Sequence, residues 1–520
     1  MRQALLSSRA RQGAGLASPV SVPAPVRGWN TRDPIAQMRP LYAAILENWF
    51  PMEGEVQMRG GSSSWATGGS GTVKTLLSFA QNNGTKKLFA CTDSGVYDAT
   101  AGGAMGAAVT SLTNGLLEAV VLTNSAGVNY LWGVNGADKV KTYNGTAWAD
   151  LDGASTPAIT GPTVTNLNWC WLFKRRIFAV EKNSMNVWYG PIDSIAGTFS
   201  KFPLGAIFKR GGSLLSGANW TIDGGQGADD YCVFITSEGE VAVYQGINPA
   251  SATSWSLVGV YFVGRPPSRR CFANYGGDLV VTTEFGELSM AQIFREGLLS
   301  VDKALSGAIR PTFSQAVRDY RANAGWQTIL YPARNALIVN IPISTSQSYQ
   351  YVMNTITGAW CAFTGWDTQC FAVHDGVLYF GRPSGVVAKA WDGTITGDFT
   401  ADITANALQA YNRFGRNEWK QMVLARPLLA VDDAVQLGFG FSADYDTSVV
   451  SSTIPRGSLS SFSYWGSAIW NTALWAGQLV RQKRWYHVSS EPGYAQAFLL
   501  QAATKNATIV SWSGTDFQVV

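Results

Sequence analysis

A strand–turn–strand unit recurs seven times along this chain and limits what it can fold into. Lys87-Leu-Phe-Ala-Cys-Thr92 with Gly95-Val-Tyr97 is one copy, and Arg176-Ile-Phe-Ala-Val180 with Asn186-Val-Trp-Tyr189 is another. Tyr231-Cys-Val-Phe-Ile235 with Glu240-Val-Ala-Val-Tyr244, and Gly376-Val-Leu-Tyr-Phe380 with Gly385-Val-Val387, repeat the pattern. The apolar runs begin near Leu88, Tyr130, Ile177, Cys232, Leu279, Leu337 and Leu378, so successive starts lie 41 to 58 residues apart. A degenerate repeat of that period, made of strands, predicts an all-β fold containing a β-propeller of roughly six to seven blades. Rings of this kind bind partners at their faces or build larger assemblies, so function has to be read from sites and surfaces.

Composition agrees with an all-β chain. Fifty-five glycines and twenty tryptophans accompany only 14% charged residues. Glycine supplies tight turns, and aromatic residues favour half-buried pleated surfaces. So little charge predicts a surface partly covered by neighbouring subunits. The net charge of +4 is small for 520 residues and argues against tight, sequence-reading DNA binding. Six cysteines stand far apart with no Cys-x-x-Cys pair, which predicts reduced, buried thiols and neither a zinc nor a redox site.

Three regions follow along the chain. Residues 1–50 form an N-terminal arm and a short helix. The first 32 residues hold no acid, and Arg2, Arg9, Arg11, Arg27 and Arg32 give them a basic character. This could mimic an organellar transit peptide; the preferred reading is an extended basic arm that docks on a partner. Ser18-Pro-Val-Ser-Val-Pro-Ala-Pro-Val-Arg27 is too rich in proline for a continuous helix. Ile35 to Asn48 reads as a short helix, capped by Asp33 with Pro34 at its first position and kinked by Pro40. Residues 51–393 carry the propeller, with turns such as Asn83-Gly84, Asn135-Gly136, Asn144-Gly145 and Asp375-Gly376. Residues 191–228 read as a glycine-rich connection and 292–327 as weakly helical. Residues 394–520 form a further β-rich region, with Ala401–Tyr411 irregular or briefly helical.

No catalytic constellation emerges, so the chain is expected not to be an enzyme and to need no cofactor. It has only two histidines: His374 precedes a turn and His487 sits in an alternating run. Asp229-Asp230, Asp432-Asp433 and Glu284/Glu287 are the visible acid pairs, and adjacent acids on a strand point to opposite faces. Gly224-Gly225-Gln226-Gly227 lacks the lysine of a phosphate loop. The basic groups are Lys174-Arg175-Arg176, Lys209-Arg210, Arg265/Arg269/Arg270 and Arg481/Lys483/Arg484. In Arg265-Pro-Pro-Ser-Arg-Arg270 the prolines would stiffen the presentation of three arginines to a partner or to passing DNA. The candidate interface residues are therefore Arg2, Arg9, Arg11, Arg27, Trp49, Lys209, Arg210, Arg265, Arg269 and Arg270.

Several segments resemble the tail nozzle, or tail-tube, proteins of short-tailed double-stranded DNA phages. They are Ala44-Ile-Leu-Glu-Asn-Trp-Phe-Pro-Met-Glu53 with Val56-Gln-Met-Arg-Gly60; Val243-Tyr-Gln-Gly-Ile-Asn-Pro249 with Trp255 and Val258-Gly-Val-Tyr-Phe-Val-Gly-Arg-Pro266; Met353-Asn-Thr-Ile-Thr-Gly-Ala-Trp360 with Phe363-Thr-Gly-Trp366 and Leu378-Tyr-Phe-Gly381; and Lys505-Asn-Ala-Thr-Ile-Val-Ser-Trp512. The resemblance implies a homohexameric virion protein, assembled in the bacterial host cytoplasm and set below the portal and adaptor (head-to-tail connector) rings. Double-stranded DNA would pass its axial channel without sequence-specific contact. Tail fibres and the host envelope would be further partners. Near-neutral charge suits such a channel, because each neutralised phosphate would add affinity for DNA that must leave. The alternative reading is a glycan-binding propeller adhesin of a phage tail. A third is a propeller hydrolase with two separated acids on one cavity.

Overall fold

The computed structural model describes residues 19–223, 228–297, 301–392, 397–415, 417–431, 435–447, 452–454, 480–482, 484–488, 490–504 and 510–519. Arg2, Arg9, Arg11, the 224–227 glycine run, Asp432-Asp433 and Lys483 lie outside them. The described chain is all-β, with two short α-helices, Met290–Glu296 and Arg310–Tyr320.

From Thr75 to Ala390 most strands fall into seven successive antiparallel meanders, with Ile159–Thr160 and Gly197–Thr198 forming a separate two-stranded parallel sheet. The first holds Thr75–Ala80, Lys86–Thr92 and Gly95–Asp98. The second holds Glu118–Thr123, Asn129–Val134, Val140–Tyr143 and Trp148–Leu151. The third holds Leu167–Phe173, Arg176–Glu181, Asn186–Ile192 and Ser200–Pro203. The fourth holds Leu214–Asp223, Ala228–Thr236, Glu240–Gly246 and Trp255–Phe262, and the fifth Phe272–Tyr275, Asp278–Thr283 and Gly286–Ser289. The sixth begins with Gln327–Tyr331, Ala336–Pro342, Ser348–Asn354 and Trp360–Phe363; the seventh has Cys370–His374, Val377–Gly381 and Val387–Ala390. Its fourth strand, Ser62–Thr67, precedes all the others in the chain and pairs with Val387–Ala390.

Every apolar run picked out from the sequence falls in the second strand of one of these sheets. A second strand has neighbours on both edges and packed faces on both sides, so it reads as an unbroken apolar run; Ala336–Pro342 is buried throughout. The opening strand of the first sheet packs against that of the second, the second's against the third's, and the third's against the fourth's. The fourth sheet's first strand touches the second strand of the fifth; the first strands of the fifth, sixth and seventh follow in line, and the seventh's rests against Thr75–Ala80. At the hairpin joining Cys370–His374 to Val377–Gly381, Asp375 (φ 51°) and Gly376 (φ 76°) supply the two left-handed residues that a two-residue turn requires.

The sixth sheet does not stop at its fourth strand. Beyond Trp360–Phe363 it continues through Ala43–Glu47, Ile403–Gln409, Gln496–Thr504, Gln436–Ala443 and Ser452–Ile454, giving nine strands. A separate seven-stranded sheet combines Trp49–Pro51, Val56–Met58, Val510–Val519, Met422–Val431 and Val480–Gln482, with Val20–Pro23 and Tyr486–His487 alongside. Both sheets feed one core that includes Leu46, Trp49, Phe363, Leu429, Phe439, Leu500 and Trp512.

Several sequence expectations need correction. Residues Ile35 to Asn48 are not a helix. Turns lead into the strand Ala43–Glu47, which fills the gap between Trp360–Phe363 and Ile403–Gln409. The Asp33 carboxylate accepts from Asn30 Nδ2 and Arg32 Nε, both at 2.9 Å, instead of capping a helix. Ala401–Tyr411 contains the strand Ile403–Gln409, and 191–228 contains the sheet strands Ser200–Pro203 and Leu214–Asp223. From Val20 onward the N-terminal segment is no free arm, since Val20–Pro23 pairs with Gly514–Phe517 of the same chain. Strands from 1–50, 51–393 and 394–520 share sheets, so these divisions do not mark separate layers. The weak helical pattern of 292–327 corresponds to the two helices, the first capped by Ser289 and ended by Gly297 at φ 69°.

Candidate functional site at the hub of the sheets

The opening strands of the first, second, sixth and seventh sheets line a cavity of about 180 Å³, bounded by Thr75, Ser78, Glu118, Gln327 and Phe371 and by Arg270. Arg270 arrives from the connection between the fourth and fifth sheets. Its Nε donates to Glu118 Oε1 at 2.5 Å, Nη1 to the Lys74 carbonyl at 3.0 Å, and Nη2 to Thr75 Oγ1. The arginine side chain is 9% exposed and its glutamate 13%. Its neighbour Arg269 donates from Nη1 to the Asn168 carbonyl at 2.6 Å, and burial pushes its guanidinium below the usual arginine range. Two consecutive arginines thus tie the fourth-to-fifth connection to the first three sheets.

Other polar pairs complete the hub. Gln327 Nε2 donates to the Phe371 carbonyl at 3.0 Å, and the Phe371 amide donates back to Gln327 Oε1 at 2.8 Å, which links the sixth and seventh sheets. Ser78 Oγ and His374 Nδ1 lie 2.9 Å apart and link the seventh to the first. Burial lowers the His374 pKa from its ordinary value, favouring the neutral ring. Glu287 is fully buried; Thr282 and Thr328 donate to its Oε1 at 2.8 and 3.3 Å, while its Oε2 has no partner. Burial raises its pKa to about 7 despite those two bonds. Glu284 instead accepts from the Arg265 amide, so the sequence pair Glu284/Glu287 serves two separate places.

The candidate interface residues separate into two groups. Arg269 and Arg270 point inward and hold sheets together, so they are not presented to a partner as expected; the prolines aim the chain at the hub. Trp49 is 0% exposed, 6.1 Å from Trp512 between ring centroids, and is a core residue. Arg27, Lys209, Arg210 and Arg265 are exposed. The last three gather at one end of the fourth sheet. The amides of Lys209 and Arg210 donate to the Glu240 carboxylate, Arg210 lies 3.8 Å over the Phe262 ring, and Arg265 pairs with Glu238 at 2.5 Å. Lys174 and Arg175 are neutralised by Asp230 and Asp193.

Sequence reading missed a second buried network. Arg59, 1% exposed, donates from Nε to Asn48 Oδ1 at 2.8 Å, forms an ion pair with Asp398 and lies 4.9 Å over the Trp366 ring. Asn48, at φ 58°, donates to Thr364 Oγ1 and the Thr404 carbonyl. No local signal joins Arg59 to a carboxylate more than three hundred residues away. All six cysteines are free and buried, and burial pushes the Cys271 and Cys370 thiols up to about 12.

No protein-family model matches the chain, and no curated protein matches it. Among solved structures it is similar to the extracellular domain of the hybrid two-component system BT3049 from B. thetaiotaomicron, at 11% identity and TM-score 0.40, covering 86% of this chain and 57% of that one. It is similar to Chaetomium thermophilum Raptor at 9% identity and TM-score 0.35, covering 64% and 28%. It is also similar to BBS1N, solved in complex with ARL6DN, at 11% identity and TM-score 0.39, covering 64% and 98%.

Proposed function

We propose that the seven sheets are the blades of a closed β-propeller and that the chain is a structural subunit of a phage tail nozzle. Such a nozzle would be a homohexameric ring below portal and adaptor, with double-stranded DNA passing between the subunits. The observation that carries this reading is how the series of sheets ends. Ser62–Thr67 completes the last sheet, and the last sheet's opening strand rests against that of the first. Hub bonds of Arg270, Gln327 and His374 then hold sheets together within one subunit. The hub's two guanidiniums are matched to protein groups, which suits a load-bearing part. A DNA path would run between copies, where a mixed or acidic lumen avoids holding the genome.

The edge Trp255–Phe262 supports a subunit role as well. It is eight residues long and uncharged, and Leu257, Val258 and Val260 are exposed along it. Long apolar edges invite pairing with another chain. Averaged electron-microscopy images of the native tail, with this chain tagged, test the proposal. A six-fold ring with a hole on the exit path of the genome is expected; the chain located off that path would overturn it. The adhesin reading has one observation in its favour, the exposed pair Trp419 and Tyr494 with ring centroids 5.6 Å apart. Binding to a glycan array, abolished by Trp419→Ala, would favour it over the nozzle.

A further inference from the structure

A second cavity, of about 270 Å³, lies away from the hub, where Ala43–Glu47 joins the sixth sheet. Its walls include Trp29, Tyr349 and Tyr351, with Glu47, Thr31 and Thr364 as its polar groups. Tyr349 and Tyr351 are two apart on one strand and so project to the same side of it. Tyr351 is buried, edge-on to Trp29 at 5.3 Å, while Tyr349 is 46% exposed. The Trp29 indole N–H is already committed to the Ala44 carbonyl at 3.0 Å. Glu47 Oε2 accepts from Asn406 Nδ2 at 3.0 Å, and among the described residues Glu47 has no ion pair. Thr31 Oγ1 is buried and unpartnered.

We propose that this pocket receives the guanidinium of an arginine side chain carried on a partner polypeptide. Aromatic walls attract cations through their negative faces, and a carboxylate without a counter-ion completes the match. Guanidinium fits better than ammonium, because it is more weakly hydrated, stacks on rings and makes paired hydrogen bonds to a carboxylate. An anionic ligand would be repelled by Glu47. A neutral sugar would leave the Glu47 carboxylate without a counter-charge. Ala44–Glu47, on the strand that joins the sixth sheet, lines the cavity. Its neighbours Asn48, Trp49 and Arg59 are consumed within the fold, and Glu47 is the charged side chain it leaves at a cavity. The inference stands apart from the nozzle reading, because the pocket belongs to one chain.

The test uses the full-length chain and saturation-transfer NMR with acetyl-Gly-Arg-Gly-amide, its neutral citrulline counterpart, free L-argininamide and methyl β-glucoside. The arginine tripeptide should bind at least about tenfold more tightly than the citrulline one. Glu47→Gln and Tyr349→Ala should each weaken it by about tenfold or more, and because both residues are partly exposed the variants should remain folded. Equal binding of the two tripeptides, wild-type affinity in both variants, binding of free argininamide alone, or binding of the glucoside alone would each overturn the proposal. Six-fold symmetry, present or absent, leaves the result unaffected.

Discussion

At the scale of single residues, the charges buried near the hub differ in kind. Arg270 and Glu118 satisfy each other, so the pair costs little while both remain. Truncating one leaves the other desolvated and alone. Arg270→Ala should therefore lower the unfolding free energy by about 3–5 kcal/mol, read from urea midpoints. A loss under about 1 kcal/mol would mean that the guanidinium is not holding the sheets. Glu287 is the opposite case, a buried acid without a cation. Its pKa rises from the ordinary 4.5 to about 7 on folding. A raised folded value favours the protonated form, so this contribution is complete below pH 4.5 and is lost as pH rises towards 7, by about 3 kcal/mol in all. Stability measured at pH 5 and pH 8 should differ less in Glu287→Gln than in the wild type. An unchanged difference would show that another group sets the pH dependence.

At the scale of elements, the edges of the sheets differ from one another. Trp148–Leu151 and Ser200–Pro203 are four residues long and carry Asp150 or Lys201, and Val387–Ala390 is covered by Ser62–Thr67. Trp255–Phe262 has none of these protections. A Val258→Lys, Val260→Lys double variant should therefore reduce self-association in light scattering at a given concentration, with the melting temperature changed by only a few degrees. An unaltered mass distribution would remove this edge from any subunit contact. The same contrast explains what could be read from sequence. Second strands, buried on both faces, announce themselves as apolar runs such as Leu337 to Ile341. Outer strands are half solvated and short, and their patterns fade. The segment Ile35 to Asn48 carries helix-like spacing at Ile35, Met38, Leu41, Tyr42, Ile45 and Leu46, and the sheet pairing of Ala43–Glu47 overrides it. At the candidate sites, arginine clusters were legible as charges but their direction was not. Whether Arg269 and Arg270 face solvent or the hub depends on Glu118 and Asn168, residues about a hundred or more positions away.

At the scale of the molecule, the way the sheets are joined should set how they unfold. An open row of seven sheets would fray from its ends, because the terminal sheets have a neighbour on one side only. A closed ring has no terminal sheet, so opening it anywhere exposes two faces at once. The join proposed here depends on Ser62–Thr67, whose Ala66 is 0% exposed and shares one buried cluster with Val73, with Leu88 of the first sheet and with Cys370, Tyr379 and Val387 of the seventh. Ala66→Asp places an unpaired carboxylate in that contact, and a charge buried without a partner is strongly unfavourable. In a closed ring the damage should spread, so hydrogen exchange should accelerate in Lys86–Thr92 and Val377–Gly381 and also in strands far from the substitution, such as Arg176–Glu181, with all probes melting in one transition. If protection falls only around residues 62–67 and 387–390, the join is an ornament on an open array. A rigid ring able to carry load during DNA passage would then lose its physical basis.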